Sequence, residues 1–401
     1  MRTVEEHRTV VAALLGPTAI VELPLAEARG KVLAEAVRAG VDLPPFDNSA
    51  MDGYAVRAAD IEGAPVTLPV TADIPAGRTD VPVLEPGTAH RIMTGAPMPA
   101  GADAVVQVEL TDGGTETVTV SEARAAGTHI RPRGEDVVAG AVVLEAGTVL
   151  GAAQIGVAAA VGRGTLPVFR PPHVLVLSTG SELVGPDRPL QPGQIYESNG
   201  AMLAAAVRDA GATAEQLSFV PDDVEQFRAV LAEKVDAGVD LVMTSGGVSA
   251  GAYEVVKDAF TGHGVDFVRV GMQPGGPQGA GVVRLGEVDC PVVTLPGNPV
   301  SSLVSFEVFV RPALLRAMGH PYPDRPVVTA RTREALRSPE GKRQFRRGVL
   351  DARDGTVGEI GTPASHMLGA LARADCLIVV PEERTEVAAG EELDVWLLEA
   401  F

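Results

Sequence analysis

Lysine is the scarcest charged residue here. Only Lys31, Lys234, Lys257 and Lys342 occur, against 52 acidic side chains, and the 401 residues carry a formal net charge of −19. A surface that acidic repels phosphate backbones and anionic headgroups, which excludes nucleic acid and membrane as principal partners. Cysteine is nearly absent as well. Cys290 and Cys376 lie far apart, each beside an apolar run. They fit buried free thiols in a reducing compartment and leave no zinc spacing. No apolar stretch approaches the roughly 20 residues of a membrane span. The opening MRTVEEHRTVVAALLG is acidic and amphipathic and lacks a signal peptide's basic start, so a cytoplasmic protein is expected. Common signature loops are missing too. There is no Walker A pattern, no strand leading into GxGxxG, no GxSxG elbow and no HExxH. The seven histidines are scattered, and His366 suits a capping or core role better than catalysis.

What is present begins with residues 292–309, VVTLPGNPVSSLVSFEVF. Val292 to Leu295 form a short, β-branched buried strand. Pro296, Gly297, Asn298 and Pro299 end it, and a helical apolar stripe follows from Pro299. Asn298 suits an N-cap and Pro299 the first helical position, where the missing N–H has no intrahelical use. Such a helix end attracts anions, by about 0.3–1 kcal/mol per exposed charge.

Two further segments repeat the design. In 174–183, VLVLSTGSEL, the strand ends in Ser178, Thr179, Gly180 and Ser181. In 239–260 the strand VDLVMTSGG, with Ser245, Gly246 and Gly247 at its tip, passes through Ser249 into the helical AYEVVKDAF. Three apolar strands ending in small or hydroxylated turns predict a doubly wound parallel sheet, whose ligands lie beyond the carboxyl ends of the strands. Acids gather at the same turns: Glu182 after STGS, Asp222 and Asp223 after LSFV, and Glu254 in a first helical turn. Each alone complements a helix dipole. Glu182, Asp222 and Glu254 together fit Mg²⁺ bridging carboxylates and substrate phosphates.

At about 150 residues per domain, the length allows two to four domains. Helical runs are expected at 3–16 and 25–39, and the polar loop DLPPFDNSAMDGY spans 42–54. Short alternating runs make 42–139 a β-rich insertion that splits one elongated domain into 1–41 and 140–170. An α/β domain follows at 171–322, the linker PYPDRP closes it, and 323–401 is again β. Asp52 and Asp136 reach the strand-tip site only if the inserted domain folds over a sheet. Arg131, Arg343 and Arg347 offer planar forks for phosphate or an oxyanion.

The stretches PPFDNSAMDGYAVR (44–57), RIMTGAPMPAGADAVV (91–106), RPRGEDV (131–137), LSTGSEL (177–183), TSGGVSAGAYEVVK (244–257), LPGNPVSSLVSF (295–306) and SHMLGALARAD (365–375) resemble, in order and nearly end to end, the MoeA family. These are molybdopterin molybdenumtransferases, related to gephyrin and to the E domain of plant molybdenum insertases. The resemblance implies a split elongated domain, an inserted β domain, a MogA-like molybdopterin-binding α/β domain and a C-terminal β-barrel. It also implies a homodimer in which the β domain of one subunit completes the site of the other, and a MogA-like adenylyltransferase as a partner. The implied reaction inserts molybdate into adenylylated molybdopterin, with Mg²⁺-dependent hydrolysis releasing AMP and molybdenum cofactor. By motif, Asp52, Asp136, Arg131 and Arg347 fall on catalytic positions. Thr94, Pro296, Pro299 and Ser365 fall on substrate positions beside the turn residues Gly180, Ser181, Ser245, Gly246, Gly247, Ser249, Gly297 and Asn298. Glu182, Asp222 and Glu254 fall on metal positions. Two departures stand out: Glu254 replaces the usual Asp, and Gln273 and Gly276 replace frequent lysines. Each lost charged hydrogen bond costs about 1.5–3 kcal/mol if nothing replaces it. These losses motivate an alternative, a non-catalytic pterin-binding or scaffold paralogue. A nucleotide-processing hydrolase sharing only the α/β domain is a third reading, and the Asp52 and Asp136 segments speak against it.

Overall fold

The computed structural model describes residues 1–180, 182–217, 223–246 and 255–398. The chain forms two compact units. One comprises Met1–Val21, Gly30–Ala34 and Val168–Phe401, and the other Glu22–Arg29 and Glu35–Pro167. Helix α1 (Val4–Ala12) opens the chain with a capping box, in which Thr3 and Glu6 satisfy each other's backbone N–H groups.

The smaller unit is built on a five-stranded sheet. Its strands are β1 (Gly53–Val56), β2 (Val66–Ile74), β3 (Ala89–Ile92), β4 (Ala104–Gln107) and β5 (Thr117–Val120), in the order β4-β1-β3-β2-β5. Strand β1 is buried on both faces, by Tyr54, Val56 and Val106 on one and by Ala55, Ile92 and Val105 on the other. Only glycine fits at its first residue, because a Cβ on Gly53 would stand 1.9 Å from the Val106 carbonyl oxygen. Val37–Arg38 pairs antiparallel with Val142–Leu144, and helix α2 (Ala152–Ala160) follows.

The helix expected over 25–39 is absent. That run holds turns, an isolated bridge from Leu33 to Val168 and the pair Val37–Arg38. Gly30 takes a positive φ of 76°, which no helix accommodates, and burial of Ala28, Val32, Leu33 and Val37 overrides the helical propensity of Ala, Leu and Glu.

In the larger unit, strands β6 (His173–Ser178), β7 (Thr213–Leu217), β8 (Leu241–Ser245), β9 (Val265–Arg269), β10 (Pro277–Leu285) and β11 (Val288–Leu295) form one sheet, ordered β7-β6-β8-β11-β10-β9. The first four run parallel, and β10 and β9 antiparallel. Helices α3 (Asn199–Asp209), α6 (Pro299–Ser305) and α7 (Arg311–Ala317) bury Leu203, Val207, Val300, Val304 and Leu314 with Val176 and Met243 on one face. Helices α4 (Val224–Asp236) and α5 (Val255–Phe260) bury Phe227, Leu231, Val256 and Phe260 with Leu175 and Val242 on the other. This is the expected doubly wound sheet. A π turn, Phe306–Val310, joins α6 to α7 immediately before Pro312, whose absent N–H would break an unmodified α-helix.

The C-terminal part closes into the expected barrel. Strands β12 (Val327–Thr332), β13 (Arg343–Asp351), β14 (Thr356–Glu359), β15 (Cys376–Val380) and β16 (Glu392–Leu397) run β13-β14-β12-β16-β15, and β13 pairs with β15 to complete the ring. Short helix α8 (Leu368–Leu371) lies between β14 and β15. Both cysteines are buried and free. Burial pushes the Cys290 thiol up to about 11 and raises that of Cys376 as well. No helix among the described residues is long and apolar enough to cross a membrane.

Candidate active site

The strand order reverses between β6 and β8, and in open α/β sheets ligands lie beyond the strand ends at such a switch point. Three tips meet at that edge in register, with Ser178 beside Ser245 and Ser245 beside Leu295. The pairing continues past the strand ends. Thr179 N–H donates to the Ser245 carbonyl at 3.2 Å, and Gly246 N–H to the Leu295 carbonyl at 3.0 Å. Gly246 has φ +97°, and a Cβ there would stand 2.8 Å from the Thr179 carbonyl oxygen, so the tips close only around glycine. Gly297 follows buried Pro296, and a Cβ on it would reach 3.5 Å from the Gly246 Cα. Among the hydroxyls here, Ser178 Oγ and Thr179 Oγ1 are buried with no hydrogen-bond partner.

Glu182 is exposed beside Gly180, its carboxylate oxygens 2.6 and 2.8 Å from where a Cβ on Gly180 would lie. Glycine at 180 therefore lets this carboxylate fold back over the tip. Among the described residues no three His, Cys, Asp or Glu side chains gather closely enough to hold a metal. Ser181, Asp222, Gly247, Ser249 and Glu254 lie outside the described residues.

A barrel loop reaches the same edge. Asn298 is the N-cap of α6, yet its side chain caps no amide of its own helix. It donates instead from Nδ2 to Ser365 Oγ at 2.8 Å, while Val300 N–H donates to the Ser365 carbonyl at 3.1 Å. The helix end expected to offer free amides thus gives one of them to the barrel. Buried Arg347 on β13 donates to the carbonyls of Thr362 and Ala364, which fixes the loop leading to Ser365. Burial pulls Arg347 below the ordinary arginine value, and Glu359 offsets part of that. Met272–Gln273 pairs in parallel with Arg343–Gln344 of β13, and the Gln273 side chain accepts from Gln344 at 2.9 Å, with Gly276 a few residues further on. Arg343 is tied to Glu382 and Glu5.

In the smaller unit, Asp52 Oδ1 accepts the backbone N–H of Thr94 at 2.6 Å and its hydroxyl at 2.8 Å. These two bonds, the backbone one first, hold the Asp52 carboxyl below the usual carboxylate range. Arg131 pairs with Asn48 through the backbone, and the side chains of Arg131 and Asp136 are exposed.

Two residues that sequence reasoning missed sit at the strand-tip edge. Asn199 touches both Ser245 and Gly297, and buried Ser302 on α6 lies 3.1 Å from Ser245 Oγ. The available signal was Ser198-Asn199-Gly200 opening a helix, which reads as ordinary capping. His366, expected to cap or sit in the core, is exposed.

Residues 175–316 match the family model of a probable molybdopterin binding domain. That places the chain in the class of proteins built around such an α/β domain. Residues 2–162 match the MoeA N-terminal region (domain I and II), and 329–398 the MoeA C-terminal region (domain IV). The chain is 56% identical over 407 residues, 99% of each chain, to molybdopterin molybdenumtransferase 2 of Mycobacterium tuberculosis. It is 38% identical to that organism's molybdopterin molybdenumtransferase 1, again over 99% of each chain. A solved structure of the molybdopterin biosynthesis MoeA protein from Pyrococcus horikoshii superposes with a TM-score of 0.84 at 32% identity, covering 100% of this chain and 99% of that one. The chain belongs to the MoeA family of molybdopterin molybdenumtransferases, transferases of molybdenum cofactor biosynthesis.

Proposed function

We propose that this chain inserts molybdate into adenylylated molybdopterin in the cytoplasm, hydrolysing the phosphoanhydride and releasing AMP and molybdenum cofactor. The observation that carries this is the in-register convergence of the tips at Ser178, Ser245 and Leu295, closed over by Gly246 and Gly297. Small, glycine-bearing turns gathered at one edge of a parallel sheet suit a phosphorylated ligand and an oxyanion alike. Glu182 supports a divalent-ion site, because its exposed carboxylate folds back over Gly180 at the strand tip, an oxygen donor suited to a hard cation. With Asp222 and Glu254 it would hold Mg²⁺, which when bound neutralises charge on the phosphoanhydride oxygens. Pro296, Gly297, Asn298 and Pro299 shape the wall of the pterin site, and Arg347 orients Ser365 against it.

Asp52, Thr94, Arg131 and Asp136 belong to the other unit. We assign them to the edge of a second copy in a homodimer, where an ionised Asp52 adds charge of the sign a cation needs. A MogA-like adenylyltransferase is the proposed source of substrate. The test is AMP release from adenylylated molybdopterin with and without molybdate, before and after chelation of divalent ions. Release is expected only with both molybdate and Mg²⁺, and Glu182→Gln should abolish most of it. Molybdate-independent AMP release would sink the reading. A second reading, pterin binding without turnover, is favoured by the neutral Gln273, whose amide is occupied by Gln344. Tight molybdopterin binding with no AMP is its signature.

A further inference from the structure

Asn199 is the first residue of α3, yet its amide serves two other elements. Nδ2 stands 2.8 Å from Ser245 Oγ at the tip of β8 and 2.6 Å from the Gly297 carbonyl oxygen in the turn before α6. The Ser245 hydroxyl in turn lies 3.1 Å from Ser302 Oγ and 3.4 Å from the Pro296 carbonyl. One side chain thus links the start of α3, the central strand tip and both ends of the Pro296-Gly297 peptide.

Chemistry fixes the orientation of that amide. Turned over, its oxygen would face the Gly297 carbonyl oxygen at the same short separation, acceptor against acceptor. As placed, Oδ1 is buried without a partner. The residue therefore carries an unsatisfied acceptor as the consequence of directing both N–H groups at the site. Helix starts accept Ser, Thr or Asp equally well. None of these puts two donors on one atom, and Gln adds a methylene that would push the amide past Ser245.

We propose that Asn199 is a positioning residue for the transferase reaction. Acting through Ser245 and the Gly297 carbonyl, it holds the 296–298 turn against the strand tip in the geometry that receives the phosphorylated pterin. This rests on the function proposed above. It contributes to binding before and during reaction, so its loss acts on affinity rather than on the chemical step.

The test compares the wild-type chain with Asn199→Asp, Asn199→Ala, Ser245→Ala and the Asn199→Ala/Ser245→Ala double variant. It reads kcat and KM for AMP release, the Kd of molybdopterin from pterin fluorescence, and Tm. Asn199→Asp keeps the size but sets a carboxylate oxygen against the Gly297 carbonyl, so its Tm should fall by a few degrees while the chain still folds. It removes both donors, so KM and Kd should rise by about tenfold or more, while kcat stays within about threefold. The double variant should bind no more weakly than Asn199→Ala, because both changes cut one path. Wild-type Kd and KM in Asn199→Asp, or a fall in kcat alone, overturns the proposal. Should Asn199→Asp fail to fold, Asn199→Ala decides on the same readings. If the wild-type chain binds molybdopterin but releases no AMP, the catalytic reading fails, and the Kd comparison still decides the role of Asn199.

Discussion

Asp52 and His7 show how one side chain's surroundings set a pH dependence. Asp52 is fully exposed, and its lowered carboxyl comes from the Thr94 N–H and hydroxyl. Removing the hydroxyl in Thr94→Ala should raise the Asp52 pKa toward the ordinary carboxylate value. Activity that needs the ionised form then begins to fail at a higher pH as acid is added. Carboxyl NMR titration and the acid limb of the AMP-release profile check this, and an unmoved limb would separate Asp52 from the chemistry. His7 is wholly buried against the edge of Phe309, 4.7 Å between ring centres, with Arg2 beside it. Burial first, and Arg2 second, push its pKa from 6.5 to about 4. The unfolded chain takes up this proton near pH 6.5 and the folded chain only near 4. Stability is therefore complete above pH 6.5 and falls as pH drops toward 4, by about 3 kcal/mol from this residue. His7→Leu should flatten that slope in urea unfolding at pH 7 and pH 4.5. At this scale the glycine turns at Gly246 and Gly297 were legible from the strand-and-turn pattern, whereas Asp222 and Glu254 lie outside the described residues. Asn199 was not legible, because its meaning depends on partners 46 and 98 residues away.

Among elements, the strand, glycine turn and helix around Pro296–Pro299 were legible because each residue's local chemistry agrees with its place. Two features escaped. The 25–39 run carries helical composition that tertiary burial overrides. The π turn before Pro312 depends on how α6 and α7 pack, which a one-dimensional apolar stripe does not encode. The capping of α6 also had to be seen in three dimensions, since Asn298 turns to Ser365 of the barrel loop. That loop hangs on Arg347. Truncation in Arg347→Ala leaves the carbonyls of Thr362 and Ala364 without their charged donor, a loss of about 3 kcal/mol. The expected outcome is a lower Tm with faster proteolysis confined to the 360–370 segment. Arg347→Lys should recover only part of this, because one ammonium cannot reproduce the fork. Unchanged proteolysis in Arg347→Ala would mean the loop is held by Ser365 alone.

For the whole molecule, alternating patterns announced a β-rich C-terminal part, whereas ring closure between β13 and β15 could not be read, since pairing partners are set by non-local packing. The division of chemistry is also visible only at this scale. Glu182, Ser245 and Gly297 lie in the larger unit and Asp52 and Thr94 in the smaller. The proposed symmetric dimer would offer each strand-tip edge the Asp52 surface of a second copy, and that proposal makes a quantitative demand. Asp52→Asn and Glu182→Gln chains should each be inactive alone. Mixed in equal amounts and allowed to exchange subunits, half the dimers are mixed, and each mixed dimer regains one intact site of two. Molybdate-dependent AMP release should return to roughly a quarter of wild type. A site completed within one chain regains nothing on mixing, so activity no higher than that of either parent rules out the shared site and leaves Asp52 to act, if at all, on its own copy.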